Sequence, residues 1–500
     1  MVGCSSKALP SELAALPLAE LEITVCPHLT TDAALAPLVH LGASLTSLKL
    51  QYCRLVGRIP APLSALSALR ALELELNADR ATMWPLPPPA PDAFAPLACL
   101  SALTSLMLWG WGFPVLPAEL SALPGLKAAD FEEMSSLNED DPRTWAPLSH
   151  LTALTSLVIG TAVDCRLPPQ LAACAALAEL QIADDTGLVD EAGEAPEAWA
   201  PLQHLTALTK YDGPFGPAAL PLLPASMQEL CLIRESAITS QAELAPFSRL
   251  TALTRLDLSS VELQLFPAAL SACSALRELL LRHAECVDLP EAAFQPLAHL
   301  TALTLLSLRC AQMAAVPPAL AAATALVDLD LGGSMGPISQ DPAGEVSHSE
   351  LGHLSRLASL TRLQRLGLWA TGTQRLPAQL STLRNLTSLL LNRCNAMGQG
   401  GDAAFEPLRH MTAMRELSLS STGLQAVQSQ ISALLSLRTL DLSENLGLTS
   451  ADPSTWRPLL SLHHLHTLNL SFCGLLRSLP AVLAQLRAAG VELKLGLSYA

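Results

Sequence analysis

The chain has 500 residues, a formal net charge of -16 at pH 7 and an isoelectric point near 5.2. This acidic balance argues against a dedicated binder of nucleic acid or of anionic membranes, because both need a basic surface. Hydrophobic residues make up 50% of the chain and aromatic residues only 4%, so leucine and alanine must form most of the core. The 12 cysteines show no paired short spacing, which favours reduced thiols over a disulfide framework.

A leucine spacing, Leu-x-x-Leu-x-Leu, returns about every 25 residues along the whole chain. Leucines that alternate with period two lie on one face of a short strand, so each copy predicts a strand with one buried face. A repeat of roughly 20 to 29 residues with this spacing is typical of a solenoid, whose repeats bury their leucines against their neighbours. The predicted strands start, in chain order, at Leu18, Leu45, Leu69, Leu103, Leu126, Leu154, Leu177, Leu208, Met227, Leu253, Leu276, Leu303, Leu326, Leu363, Leu386, Met414, Leu437 and Leu465.

This spacing resembles that of the leucine-rich repeat family, and the resemblance covers nearly the whole chain. It implies an α/β leucine-rich-repeat solenoid, a curved horseshoe with a parallel sheet on its concave face and short helices and turns on its convex face. It predicts a single domain over residues 1–500 with about 18 repeats and a C-terminal capping strand over residues 491–495. Irregular loops are expected near residues 78–91 and 332–352, where proline, or glycine with serine and aspartate, interrupts the spacing.

Short and long repeats alternate from Leu253 onward, mostly with spacings of 23 and of 27 or 28 residues. Short repeats carry Leu-Pro-x-x-Leu, and long repeats carry an aromatic residue before x-Pro-Leu. Proline suits the first turn of a helix, where its missing N–H costs nothing. We therefore predict a convex helix in the long repeats and a shorter turn in the short ones. The tryptophans of the long repeats, Trp145, Trp199 and Trp456, are predicted to be structural.

One position, three residues after the last strand leucine, holds asparagine in most leucine-rich repeats, where it bonds the turn to neighbouring backbone. Here the position holds Asn77 and Asn445, but elsewhere residues such as Cys394 and Thr371. Thiols and hydroxyls offer weaker or fewer hydrogen bonds than the asparagine amide. We therefore expect a less regular ladder of turns than in repeats that are rich in asparagine.

The residues that alternate with the strand leucines are predicted to face a partner on the concave sheet. In the N-terminal half they are mostly acidic, which would steer a basic partner to that part. The middle of the chain carries an arginine group, and arginine and tryptophan are enriched among residues that dominate binding energy. A solvated sheet surface is the alternative interpretation of the same residues. The candidate partner-binding residues are Trp109, Asp257, Arg255, Arg282, Arg309, Asp328, Asp330, Arg365 and Trp369.

Motifs for catalysis or metal binding fail on their context. The segment Gly332-Gly-Ser334-Met-Gly336 matches a nucleophile elbow, but Pro337 follows where a helix is needed. The histidines at 463, 464 and 466 straddle a turn and a strand start, where their side chains diverge, and no cysteine or carboxylate completes a zinc set. The sequence therefore predicts no enzymatic activity, no metal, no cofactor and no small-molecule substrate.

The function that the resemblance implies is a non-enzymatic scaffold or adaptor that binds a protein partner on the concave face. The alternative is the recognition module of an immune or receptor-like protein, which the plant-type pattern of residues 55–60 favours. The first residues lack the apolar segment of a secretory signal, and no apolar stretch has the character of a membrane span. We expect a cytoplasmic protein, with signal transduction and the ciliary axoneme as narrower hypotheses.

Overall fold

The structure is a computed structural model in which the described residues form two compact units, Met1–Ser236 (unit 1) and Ala237–Ala500 (unit 2). Both are built from short parallel strands that alternate with short helices. The single domain over residues 1–500 stays a prediction. The described residues are 7–26, 28–29, 31–53, 58–75, 92–111, 113–132, 141, 143–160, 166–183, 196–216, 218–238, 240–281, 290–309, 313, 315–333, 339–340, 346–347, 353–449, 453–474 and 479–496.

Unit 1 is built on nine described strands, β1 to β9, each paired in parallel with the next strand along the chain. Their bounds are β1 (Glu20–Thr24), β2 (Ser47–Gln51), β3 (Ala71–Glu75), β4 (Ser105–Trp109), β5 (Ala128–Phe131), β6 (Ser156–Gly160), β7 (Glu179–Ala183), β8 (Lys210–Pro214) and β9 (Glu229–Ile238).

Unit 2 continues the same pattern with ten described parallel strands. The segment predicted as a loop near residues 332–352 contains two further strands, β14 and β15, which pair with each other in antiparallel fashion. The bounds are β10 (Arg255–Leu263), β11 (Glu278–Leu280), β12 (Leu305–Ser307), β13 (Asp328–Asp330), β14 (Ser339–Gln340), β15 (Val346–Ser347), β16 (Arg365–Gly367), β17 (Ser388–Leu390), β18 (Glu416–Ser418), β19 (Thr439–Asp441), β20 (Thr467–Asn469) and β21 (Glu492–Lys494).

The strand positions follow the predicted leucine spacing. Every parallel strand from β1 to β20 begins two residues after the leucine or methionine predicted to head its repeat, as Ser47 follows Leu45. Neighbouring core leucines are in register, so Leu48 lies beside Leu72, and both are buried. The strand β21 falls inside the predicted capping segment and pairs with β20. The leucine-rich-repeat solenoid fold is confirmed, while the predicted loop near residues 78–91 lies outside the described residues.

Helical segments are generally longer in the long repeats than in the short ones, as predicted; Glu291–His299 has nine residues and Ala268–Ala272 has five. Most of them, however, are 3-10 helices rather than α-helices. Most of these helices end where the next residue, such as Leu100 with ψ of 53°, leaves the helical region and buries its side chain. Four α-helices are described: α1 (Asp32–Leu35), α2 (Pro196–Trp199), α3 (Gln241–Leu244) and α4 (Ala481–Ala488). The 3-10 helices are Ser11–Ala15, Ala36–Leu41, Ala61–Ala65, Ala95–Cys99, Ala118–Ala122, Ala146–His150, Pro169–Ala173, Ala200–His204, Leu220–Leu222, Ala245–Arg249, Ala268–Ala272, Glu291–His299, Pro318–Ala322, Leu354–Ser359, Ala378–Thr382, Met397–His410 (interrupted at Gly401), Ser429–Ala433 and Pro453–Ser461.

The tryptophans of the long repeats are part of the core, as predicted. Trp199 and Trp456 are fully buried, and Trp145 is nearly so. The indole N–H of Trp456 donates to the backbone oxygen of Thr449 at 3.2 Å, which satisfies its polar atom inside the core. These side chains therefore fix the helices to the sheet and are not available to a partner.

The turn after each strand depends on the residue at the asparagine position. The Asn445 side-chain nitrogen donates to the backbone oxygens of Leu419 and Leu442 at 2.8 and 2.9 Å. Its side-chain oxygen accepts from the backbone N–H groups of Thr422 and Leu424 at 3.1 and 3.0 Å. At the same position, the Cys394 thiol donates to one backbone oxygen, that of Leu368, at 3.2 Å. The less regular ladder of turns stays a prediction, and Asn77 lies outside the described residues.

Candidate protein-binding surface

The side chains that alternate with the buried leucines form one face of each sheet, which we call the open face. It is the face that the sequence predicts to be concave. Strand register aligns these side chains in rows across the sheet. In unit 2 one row runs through Asp257, Leu280, Ser307, Asp330, Gly367 and Leu390. Residues far apart in the chain are therefore neighbours on this surface.

An arginine and a tryptophan stack on the open face of unit 2. The guanidinium carbon of Arg309 lies 4.8 Å from the centroid of the Trp369 ring, which is the geometry of a cation–π contact. The guanidinium also lies 3.6 Å from a carboxylate oxygen of Asp330, measured from its Nε. The Trp369 indole packs against Gly332, where a Cβ atom would come within 1.8 Å of the indole nitrogen. Contacts with both Arg309 and Gly332 therefore hold the indole in place.

The carboxylate of Asp330 is held by backbone as well as by charge. Its Oδ1 accepts the backbone N–H of Gly332 at 2.9 Å, which closes the turn at the end of β13. On the next strand, Gly367 leaves the space that this carboxylate occupies, since a Cβ there would be 2.5 Å from Oδ1. Sequence reasoning missed both glycines. Their signal was the absence of a side chain at two open-face positions beside Trp369.

The predicted arginine group is paired with carboxylates from neighbouring strands. Two guanidinium nitrogens of Arg365 each lie 2.7 Å from Oδ2 of Asp328. On β10, Arg255 donates to Glu278 at 2.9 Å. Exposed pairs of this kind contribute only about 0 to 1 kcal/mol each, so a partner's groups can replace one member at small cost. This part of the open face is therefore balanced in charge and is not a site for an anion alone.

A hollow of about 280 Å³ lies beside the stacked pair, lined by Trp369, Leu390, Asn392 and Arg393. The side-chain oxygen of Asn392 is buried and has no hydrogen-bond partner within the described part of the chain. A buried acceptor without a partner costs free energy, so an incoming N–H or O–H group would gain by bonding to it. Sequence reasoning missed Asn392. Its place one repeat after Trp369 was the available signal.

The structure brings some of the predicted residues together and separates others. Arg255 and Asp257 lie on β10, two strands or about 10 Å from β12. One oxygen of Asp257 is already used, because Oδ1 accepts the backbone N–H of Ser259 at 2.9 Å. Trp109 belongs to unit 1, and Arg282 lies outside the described residues. The residues on adjoining repeats are Arg309, Asp328, Asp330, Arg365 and Trp369.

The described residues offer little for other kinds of site. Nowhere among them do three or more histidine, cysteine or acidic side chains gather so as to hold a metal ion. No helix within the described ranges combines the length and apolar character needed to cross a membrane. Ser334, of the segment that matches a nucleophile elbow, lies outside the described residues. The stacked pair and its hollow are therefore the candidate binding features of unit 2.

Comparison of the sequence with protein families gives one match, the Leucine Rich Repeat model, over residues 464–486. This segment contains β20 and most of α4. No curated protein matches the chain.

Several solved structures are similar to the chain at low sequence identity. A leucine-rich repeat protein of Leptospira interrogans is 17% identical with a TM-score of 0.46, and the match covers 98% of this chain and 93% of that one. The ectodomain of the Arabidopsis thaliana receptor kinase GASSHO1/SCHENGEN3, in complex with CASPARIAN STRIP INTEGRITY FACTOR 2, is 20% identical with a TM-score of 0.42, covering 93% and 62%. TLR13, in complex with ssRNA13, is 16% identical with a TM-score of 0.50, covering 91% and 60%. The chain thus spans less than two thirds of the last two proteins, and at these identities the likeness concerns the fold alone.

Proposed function

We propose that this chain, which is a leucine-rich repeat protein, acts as a non-enzymatic scaffold or adaptor that binds a protein partner on the open face of unit 2. The observation that carries the proposal is the stack of Arg309 on Trp369 beside the hollow that contains Asn392. The fold supports a protein-interaction module in general. The stacked pair supports this particular surface.

The binding surface is organised before a partner arrives. Trp369 is half-buried and is held by Gly332 and Arg309, so little side-chain freedom remains to be lost on binding. Tryptophan and arginine at well-packed positions are the residues that dominate most protein interfaces. A rigid aromatic surface of this kind favours a tight contact with a small part of the partner.

The chemistry of the surface indicates what the partner presents. The ion pairs Arg365–Asp328 and Arg309–Asp330 expose both signs of charge, so a partner segment with mixed charges would match them. The hollow beside Trp369 would take a side chain that donates a hydrogen bond to the Asn392 oxygen. We therefore propose a polar protein segment with one inserted side chain rather than a purely acidic ligand.

The test is site-specific photocrosslinking in the native cell. A photoreactive phenylalanine analogue replaces Leu390, which lines the hollow, in the full chain with and without Arg309→Ala and Trp369→Ala. We expect one protein to crosslink to the chain with the native pair and to be lost from the double variant. The matched control is Arg409→Ala, because Arg409 is exposed in a 3-10 helix and pairs with Glu406 away from the open face.

The outcomes separate binding from folding. The control variant should keep the crosslink, and both variants should keep the native circular-dichroism spectrum. If the double variant with Arg309→Ala and Trp369→Ala still gives the crosslink at full yield, the partner does not depend on this surface and the proposal is overturned.

The identity of the crosslinked protein also addresses the second candidate function. An extracellular or cell-surface protein would favour the recognition module of an immune or receptor-like protein, which rests on the plant-type pattern at residues 55–60. An intracellular assembly would favour the scaffold or adaptor. The cytoplasmic and axonemal localisation stays a prediction.

A further inference from the structure

The open face of unit 1 carries a concentration of negative charge on β1 to β5. Its row through the strand centres reads Glu22, Lys49, Glu73, Met107 and Asp130. Lys49 is paired with Glu73 at 2.8 Å. The pKa of Lys49 is raised by its hydrogen bond with Glu73 and also by the charges of nearby glutamates. Burial raises the pKa of Asp130, and the negative charge of Glu73 raises it further. Carboxylate side chains therefore outnumber cationic side chains on the open face of the described strands β1 to β5.

One carboxylate of this surface is buried and incompletely bonded. Glu75, the last residue of β3, is only 4% exposed. Its Oε1 atom has no hydrogen-bond partner within the described part of the chain. A carboxylate loses much of its hydration in such a position, so an unused oxygen strongly favours a donor or a positive charge. Surfaces that bind no ligand rarely leave a buried hydrogen-bond acceptor without a partner.

Two aromatic side chains adjoin this carboxylate. Trp109 lies beside Glu75 in register on β4, and its indole N–H is also buried without a partner within the described residues. The hydroxyl of Tyr52 is hydrogen-bonded to Glu75, which raises the pKa of that tyrosine. Tyr52 is 40% exposed, so its side of the cluster faces solvent. The three residues form an acidic and aromatic cluster, Tyr52–Glu75–Trp109.

We propose that this cluster binds an arginine or lysine side chain from a basic, extended segment of a protein partner. The cation lies against the Trp109 ring and donates to Oε1 of Glu75, while a backbone carbonyl of the partner accepts the indole N–H. Arginine suits the site better than lysine, because its planar guanidinium stacks on an aromatic ring and donates in several directions at once. This surface is distinct from the one on unit 2.

The surrounding charge favours a basic polypeptide over other ligands. Glu22, Glu73 and Asp130 extend the negative surface along the sheet and attract further positive charge on the same segment. Nucleic acid would be repelled by these carboxylates. A bound metal ion would need several ligands around it, and the described residues provide no such group of three.

Fluorescence anisotropy with the full chain tests the proposal. The probe is a labelled glycine–serine peptide with three alternating arginines, and its counterpart carries neutral citrulline at the same positions. We expect the arginine peptide to bind at least about tenfold more tightly than the citrulline peptide, and Glu75→Gln to weaken it about tenfold. The matched control is Glu119→Gln, which removes the same charge from a 3-10 helix of unit 1 and should leave binding unchanged.

The other possible outcomes of this experiment count against the proposal. If Glu75→Gln and Glu119→Gln weaken peptide binding equally, the peptide is attracted by net charge alone. If calcium chloride displaces the peptide at constant ionic strength, the cluster is a metal site. Either result overturns the proposal, as does unchanged binding by Glu75→Gln. If that variant fails to fold, Trp109→Leu serves instead and should also weaken binding about tenfold. The double variant with Arg309→Ala and Trp369→Ala should bind the peptide normally. Failure of the proposed partner binding on unit 2 is therefore distinguishable from failure of peptide binding at this cluster.

Discussion

The indole of Trp369 lies so close to Gly332 that a Cβ atom at residue 332 would be 1.8 Å from the indole nitrogen. Gly332 thus provides the space in which the tryptophan ring stacks under Arg309. The ring and the glycine form one unit, and a change at either position is felt at the other.

This relationship predicts a non-additive pair of substitutions. Gly332→Ala should lower the free energy of unfolding by about 1 to 3 kcal/mol, because the ring must leave its position. In a background that carries Trp369→Ala, the same substitution should cost much less. Urea unfolding of the two single variants and the double variant measures the coupling. Strictly additive costs would show that the ring and the glycine do not constrain each other.

The tryptophans of the chain should divide into two classes by their effect on stability. Trp199→Ala should lower the free energy of unfolding by about 3 to 5 kcal/mol, because it empties a fully buried site between helix and sheet. Trp369→Ala should cost less than about 2 kcal/mol, since Trp369 is half-buried on the open face. Chemical denaturation of both variants compares them directly. Equal losses would contradict the assignment of Trp369 to binding.

Asn445 should be among the most sensitive polar positions of unit 2. Asn445→Ala leaves the buried backbone N–H groups of Thr422 and Leu424 without their acceptor, together with three carbonyls that lose a donor. We expect a loss of roughly 2 to 5 kcal/mol in the free energy of unfolding. Asn385→Ala is the matched control, because that exposed side chain makes a single bond to the Thr361 carbonyl and should cost less than about 1 kcal/mol. Similar losses for the two variants would refute the special role of the buried site.

Stability should fall at alkaline pH because of buried thiols. Burial raises the pKa of Cys174, Cys273 and Cys473 from 9.0 to about 11. Between these two pH values the unfolded chain releases thiol protons that the folded chain keeps, so the thiol contribution to stability is constant well below pH 9 and declines as pH rises towards 11. Each thiol accounts for roughly 2 to 3 kcal/mol of this decline once the pH has passed the folded-state pKa, and for less within the range up to pH 11. Cys273→Leu, which places the residue of sister repeats at this position, should make the decline shallower in denaturation curves from pH 8 to 11. An unchanged slope would show that this thiol does not titrate on unfolding.

The positions of the strands could be predicted from the sequence because their cause is local. A leucine at every second residue makes one face of a strand apolar wherever it occurs, and burial of that face aligns Leu48 with Leu72 on the next strand. The burial of Trp199 and Trp456 followed from the same repeat. The helix type could not be predicted as well, because it depends on how soon the leucine after each helix turns towards the core.

The candidate site shows the same division. Its open-face positions for Arg309 and Trp369 followed from the repeat register, yet their contact did not, because 60 residues of chain separate them and only packing brings the ring under the guanidinium. The burial of Glu75 and of the Asn392 oxygen could not be inferred either, since residues at the same register position differ in burial from repeat to repeat, as the buried Ser443 and the half-buried Gln51 show.

The sequence by itself determined the repeat, the strand positions, the leucine core and the set of side chains that face away from it, because a period of two reports burial directly. Only the tertiary structure decided which of those side chains are paired, stacked or left without a partner. Arg365 meets Asp328 across 37 residues of chain, and Glu75 meets Tyr52 and Trp109 from the two neighbouring repeats. Such contacts depend on the register of neighbouring strands and on the space that each side chain leaves. The local spacing of leucines determines neither of these.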